Sequence, residues 1–230
     1  MKPNNTSLAV EKTLALCYTA CMEPVCYIFG AGDVFSPKAK ITPNDIVIAA
    51  DGGYAKAVEA GFEPRAVIGD FDSSPMPENV ATHVIKLNRD KDDTDMLAAV
   101  KLGLRRGYKL FVLYGGVGGR LDHTVANFAT LKYLNSFDAR GYLIDRDSVA
   151  TVITDGKLTL PKKSQGTVSV FAYGGEAEGV SYKNLDYILS EHTLTPDFPL
   201  GVSNATTTQK TAPAEISVKH GSLLIFFPRI

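Results

Sequence analysis

Cysteine is scarce in this 230-residue chain, and Cys17, Cys21 and Cys26 crowd near one end. Three thiols give neither the even count of a disulfide framework nor the paired spacing of a zinc site, and a reducing cytoplasm suits them. An excess of one charge is also missing. With 24 Lys and Arg against 25 Asp and Glu the net charge is −1, so nothing in the balance calls for a nucleic-acid or membrane surface. A small molecule is the expected partner. No run approaches the roughly 20 apolar residues of a membrane span. The mildly apolar stretch from Leu8 to Met22 is interrupted by Glu11 and Lys12 and reads as a short helix or a loose extension. Internal repeats and low-complexity segments are absent. So are the GxxxxGK[ST] phosphate loop, the protein-kinase signature set and the GxSxG elbow, which disfavours the common nucleotide enzymes and serine hydrolases.

What the chain does contain is a strong strand and helix alternation. At 45% hydrophobic residues it can bury one large core or two modest ones. Val25 to Phe29 is a strand that leaves through Gly30-Ala31-Gly32-Asp33, a glycine-rich exit too short of the GxGxxG pattern to stand alone. Ile46 to Ala50 is an unbroken apolar run, as in a strand covered on both faces, and stops at Asp51-Gly52-Gly53. The pattern predicts helices over Tyr54 to Ala60, Asp95 to Arg106 and Asp122 to Asn135, with Val125, Phe128, Ala129, Leu131 and Leu134 available as core in the last. Further strands are predicted over Ala66 to Ile68, Thr82 to Lys86, Leu110 to Tyr114 and Gly141 to Ile144. This is the rhythm of a parallel sheet with helical crossovers. Near Asp147 the character changes to short alternating segments: Val149 to Ile153, Lys157 to Leu160, Thr167 to Tyr173, Ile188 to Leu189, Ile216 to Val218 and Leu223 to Phe227. A second, all-β domain follows from it.

The chemistry gathers after the strands. Val67-Ile68-Gly69 runs into Asp70-Phe71-Asp72. Two carboxylates spaced i, i+2 in an extended segment share a side and converge on one cation, with Phe71 pointing away. Hard oxygen ligands of this kind suit Mg²⁺ with a substrate's phosphates. The same residues also make an ordinary turn, and the segment alone leaves both readings open. Lys91-Asp92-Asp93-Thr94-Asp95 adds more carboxylates, and Gly115-Gly116-Val117-Gly118-Gly119-Arg120 places four glycines in five residues. Each glycine costs backbone entropy on folding, so a cradle for phosphate or adenine is the better use of them. In open α/β sheets ligands sit at the carboxyl ends of the strands, and all of these elements fall there. So much negative charge would repel a nucleotide triphosphate unless Mg²⁺ intervened, which makes phosphoryl-type transfer the natural class.

Taken together, Asp51-Gly52-Gly53, Gly69-Asp70-Phe71-Asp72-Ser73, Lys91 to Asp95, Gly115 to His123 with Asn127, and Gly201-Val202-Ser203-Asn204 closely resemble thiamin pyrophosphokinase. The resemblance runs from about Val25 to the C-terminus. It implies transfer of an intact pyrophosphoryl group from ATP to the hydroxyethyl oxygen of thiamin, giving thiamin diphosphate and AMP. It further implies a homodimer with thiamin where subunits meet, and no nucleic-acid or membrane partner. The implied fold is an α/β domain with an open, mostly parallel, Rossmann-like sheet and helices on both faces, followed by a small all-β sandwich. The expected boundaries are an extension over 1–24, the catalytic domain over 25–147 and the thiamin-binding domain over 148–230. Asp70, Asp72 and Asp95 match the family's Mg²⁺ positions. Asp51, Asp92, Gly116, Gly118, Gly119, Arg120, Asp122, His123 and Asn127 lie in its nucleotide and active-site motifs, with Asp51 and Asp92 as candidates to accept the hydroxyl proton. Ser203 and Asn204 match its thiamin-binding turn.

Two departures stand out. The chain has no Trp, so stacking on the thiamin rings falls to Tyr, Phe or an aliphatic side chain. Asn204 is followed by Ala205 and a Thr-rich stretch where many members carry an acidic residue. His123 has an alternative reading as a locally bonded helix-start residue, Asp93 reads as a solvated charge, and His83, His192 and His220 lack metal-ligand spacing. The rival readings are a pyrophosphokinase for another alcohol, such as a pterin, and a non-catalytic ATP-binding sensor.

Overall fold

The computed structural model describes residues 23–37, 39–71, 83–88, 92–161, 164–206 and 212–229. Leu8 to Met22, Cys17, Cys21, Asp72 and Lys91 lie outside them. The chain divides into two compact units, Glu23–Pro37 with Ile41–Arg146, and the residues from Asp147 onward.

Among its described residues the first unit holds six strands: β1 Val25–Phe29, β2 Ile46–Ala50, β3 Ala66–Gly69, β4 His83–Lys86, β5 Leu110–Tyr114 and β6 Arg140–Ile144. They pair in parallel in the order β6-β5-β1-β2-β3-β4. Strands β1, β2, β3 and β5 are buried at every residue, which is why their sequences show no polar alternation: helices cover both faces. The edge strand β4 is buried nowhere. Asp45, itself buried, secures the entry to the sheet by accepting from the Val25 N–H at 2.9 Å and from the Thr42 N–H and hydroxyl.

Three helices are described: α1 Gly53–Glu59, α2 Asp95–Arg105 and α3 Leu121–Asn135. Thr94 caps α2 by accepting from the Leu97 N–H at 3.2 Å. Gly61 and Gly107, at φ +82° and +85°, end α1 and α2 in the left-handed conformation that glycine adopts freely. Right-handed crossovers put α1 on one face of the sheet and α2 and α3 on the other. Leu131 and Leu134 of α3 are buried with Asn127 and Thr130, an i, i+3, i+4, i+7 stripe against β6. That stripe turns Val125 and Ala129 outward and leaves Phe128 half-buried, so the predicted core of this helix is corrected at those three positions.

The second unit is all β. Its strands are β7 Ser148–Thr154, β8 Lys157–Thr159, β9 Gly166–Ala172, β10 Ala177–Lys183, β11 Leu189–Leu194, β12 Asn204–Thr206, β13 Glu215–Ser217 and β14 Ser222–Pro228. They form two antiparallel layers, β12-β9-β14-β7 and β11-β10-β13-β8. Alternating residues such as Val168, Val170, Val180, Tyr182, Ile216 and Leu158 are buried between them. β10 and β12 are absent from the sequence prediction. Gly179, at φ +65°, breaks the alternation of β10 beside a register shift, and β12 is only three residues long.

Candidate active site

Parallel pairing brings the carboxyl ends of β1, β2, β3 and β5 together, and their exit loops enclose a cleft of about 570 Å³. Gly30 to Asp33, Asp51, Asp70, Thr94, Asp95, the run Gly115 to Arg120, His123, Thr124 and Asn127 line it. Asp51, Asp70, Asp95, Gly116, Gly118, Gly119, Arg120, His123 and Asn127 therefore meet as the strand ends required. Asp92 and Asp122 do not line the cleft, and Ser203 and Asn204 belong to the second unit. Asp33, Thr94, Met96 and Thr124 are lining residues that sequence reasoning passed over. The glycine-rich exit of β1 was the available signal for Asp33.

Asp51 leaves β2 at φ +46° while its N–H continues the parallel ladder to the Ile68 carbonyl at 2.9 Å. A side chain at Gly69 would crowd Asp51, whose Cα lies 3.0 Å from where its Cβ would stand. This contact sets Asp51 beside the end of β3 and hence near Asp70. Phe71 sits at φ +60°, so the segment turns there rather than staying extended. The alternation expected of Asp70-Phe71-Asp72 is corrected accordingly, and Asp72 lies outside the described residues. Asp95 opens α2, where the free N–H groups of the first turn favour negative charge. Asp93 is not merely solvated: both of its oxygens accept from the Lys101 ammonium, at 2.6 and 2.7 Å.

The glycine loop is built by the protein around it. A side chain at Gly115 would strike the Gly30 carbonyl, one at Gly116 would strike Leu143, and one at Gly118 would strike the Asp33 carboxylate. Asn127 supports the loop from below by donating to the Gly116 carbonyl at 2.8 Å. Gly119 differs, for nothing lies within 4 Å of where its side chain would be. No contact among the described residues demands glycine there, and Gly119 itself lines the cleft. Arg120 grips Asp122 through two hydrogen bonds, of 2.6 and 3.2 Å. That pairing holds the Asp122 carboxyl below the usual carboxylate range and raises the guanidinium further.

In the second unit, Ser203 sits at φ +60° and donates its N–H to the Ser169 hydroxyl at 3.1 Å. Asn204 is buried and engaged with backbone: its Oδ1 accepts from the N–H groups of Tyr187 and Ala205, and its Nδ2 donates to the Tyr187 carbonyl. Tyr187 itself is 73% exposed.

As to a metal, Asp51, Asp70 and Asp95 offer hard oxygen donors in one cleft, which fits Mg²⁺ chemically. Among the described residues no three of His, Cys, Asp and Glu converge closely enough to hold an ion by themselves. An ion here would take further ligands from water and substrate phosphate, as Mg²⁺ commonly does.

Comparison with known proteins agrees with this architecture. The family model described as thiamin pyrophosphokinase, catalytic domain, matches residues 38–143, and that described as thiamin pyrophosphokinase, vitamin B1 binding domain, matches residues 157–223. The chain is 24% identical over 165 residues to a thiamine pyrophosphokinase of Bacillus subtilis, covering 68% of this chain and 76% of that protein. The crystal structure of thiamine pyrophosphokinase from Bacillus subtilis superposes with a TM-score of 0.77 at 20% identity, covering 90% of this chain and 99% of the other. That of yeast thiamin pyrophosphokinase superposes at 0.70 and 14% identity, covering 90% and 87%. Two family domains in order, over a fold of the same kind, place the chain in the thiamin pyrophosphokinase family, an enzyme of the thiamine diphosphokinase class.

Proposed function

We propose that the chain transfers the pyrophosphoryl group of ATP to the hydroxyethyl group of thiamin, releasing AMP. The observation that carries the proposal is the cleft itself, where the carboxylates of Asp51, Asp70 and Asp95 face a glycine loop with open space at Gly119. The alcohol oxygen attacks the β-phosphorus, the bond between that phosphorus and the α,β-bridging oxygen breaks, and the proton leaves the attacking oxygen. Such a step needs orientation and charge neutralisation more than covalent help. Mg²⁺, held by Asp70 and Asp95 with Asp72, would supply charge neutralisation at the phosphates. Asp51 lines the cleft and Asp92 does not, so Asp51 is the better placed acceptor of the hydroxyl proton. Arg120 meets charge developing on the departing AMP.

Thiamin binds at the turn containing Ser203 and Asn204, and Tyr187 supplies the stacking face that Trp would otherwise give. Its exposure and the hold of Asn204 on its backbone support that role. The enzyme is a homodimer of a reducing cytoplasm, with the turn of one subunit serving the cleft of the other. Support comes from apolar side chains left exposed in each unit, Leu121 and Val125 on α3 and Ile188, Phe198 and Leu200 in the second.

The test is to incubate the protein with MgATP and thiamin and to quantify products. AMP and thiamin diphosphate in equal amounts are expected, and ADP as the product would sink the proposal. Mixing two impaired variants, Asp70→Asn and Ser203→Ala with Tyr187→Ala, under subunit exchange at limiting thiamin should raise activity above that of either variant alone. No recovery in proven heterodimers would show that each site is built within one chain.

A further inference from the structure

The sheet order carries information about the nucleotide that the motifs do not. From β1 the chain proceeds outward through β2, β3 and β4, then returns to place β5 on the opposite side of β1. The loops after β1 and β5 thus depart in opposite directions, and in open α/β sheets the crevice at such a reversal is where a nucleotide lies. Here the two loops are Gly30 to Asp33 and Gly115 to Gly119, bonded to each other from the Gly32 N–H to the Gly115 carbonyl and from the Asp33 N–H to the Val117 carbonyl, both at 2.9 Å. Asp33 lines the cleft from this crevice, with its carboxylate over Gly118.

Asp33 stands apart from the other acidic residues. Asp51 and Asp70 follow β2 and β3, and Asp95 opens α2. Those three suit a phosphate chain bridged by a cation. Asp33 faces the glycine loop on the other side of β1, with its carboxylate against Gly118. A carboxylate in that position repels phosphate and accepts hydrogen bonds from neutral hydroxyls. The ribose of a nucleotide presents two such donors side by side.

We infer that Asp33 binds the ribose of the nucleotide, accepting from its 2′- and 3′-hydroxyls, and so selects ribonucleoside over deoxyribonucleoside triphosphate. The inference rests on ATP occupying this cleft, and its test reads binding rather than turnover, so that it fails or stands apart from the proposed reaction. Calorimetry on the whole protein should follow MgATP and Mg-2′-deoxy-ATP with wild type, Asp33→Asn and Asp33→Ala, each checked by thermal unfolding. Wild type should bind ATP about tenfold more tightly than the deoxy analogue, as a hydrogen bond to a charged acceptor supplies. Asp33→Ala should lose that preference, binding both nucleotides with similar affinity, and Asp33→Asn should fall between. Equal loss of affinity for ATP and the deoxy analogue in Asp33→Ala, or no preference in wild type, would overturn the assignment. Product analysis yielding ADP instead of AMP would remove the proposed reaction and leave the ribose assignment standing.

Discussion

Asn204 holds both backbone polar groups of Tyr187: its Oδ1 accepts from the Tyr187 N–H at 3.0 Å and its Nδ2 donates to the Tyr187 carbonyl at 2.7 Å. A side chain matching a substrate-binding motif is thereby spent on positioning an exposed aromatic residue 17 positions away. Asn204→Ala should remove the side-chain partner of three backbone groups and destabilise the second unit by about 2 kcal/mol. Its KM for thiamin should rise with that for ATP unchanged. Tyr187→Phe should be nearly silent and Tyr187→Ala should raise the thiamin KM alone. An effect of Asn204→Ala confined to kcat would contradict the positioning role.

The two glycines at the end of the loop separate stability from binding. Gly118 has φ +78° and faces Asp33, so Gly118→Ala should lower stability by about 1 to 2 kcal/mol whatever the ligand. Gly119 has ordinary φ and open surroundings. Gly119→Val should melt like wild type yet bind ATP at least about tenfold more weakly, with thiamin binding retained. Calorimetry beside thermal unfolding decides the matter, and a normal ATP affinity in Gly119→Val would remove the loop from the nucleotide site.

Asp70→Asn preserves shape and removes one anionic oxygen donor. Turnover should fall by about tenfold to a hundredfold, and the Mg²⁺ concentration for half-maximal rate should increase. Chelation of divalent ions should abolish turnover in wild type. Wild-type-like rates in Asp70→Asn at limiting Mg²⁺ would exclude the metal role.

Tyr182 carries a buried hydroxyl without a hydrogen-bond partner among the described residues, near the backbone of Gly201. Burial pushes its pKa well above the ordinary phenol range, so it stays protonated throughout the working pH. Removing an unsatisfied polar group relieves its desolvation cost, and Tyr182→Phe should leave stability unchanged or raise it by up to about 1 kcal/mol. A marked fall in unfolding temperature would mean that the hydroxyl has a partner.

Much of this site was legible because the chemistry follows strands whose apolar runs are unmistakable. Ile46 to Ala50 announces a strand covered on both faces, and Asp51 inherits its place from that. The same logic put Asp70, Asp95 and Gly115 to Arg120 in one cleft. What the sequence hid was local backbone geometry and committed side chains. Nothing in Asp70-Phe71-Asp72 reveals φ +60° at Phe71. Val125 belongs to an apolar helix whose buried stripe includes Asn127 and Thr130, so hydrophobicity alone misplaced its face. The chemistry of Asn204 suits a ligand as well as a neighbouring backbone, and only tertiary contacts reveal which it meets.

The backbone bonds between the loops after β1 and β5 bear on how a nucleotide is captured. Loops so rich in glycine would ordinarily sample many shapes and close on a ligand after first encounter. Here Gly32 and Asp33 are tied to Gly115 and Val117 by bonds within the protein itself, and Asn127 props the loop at Gly116. The cradle is preorganised, so association need not wait for it to form and affinity is not diminished by ordering it. Differences in nucleotide affinity among relatives that keep these bonds should then reside mainly in how fast the bound nucleotide leaves.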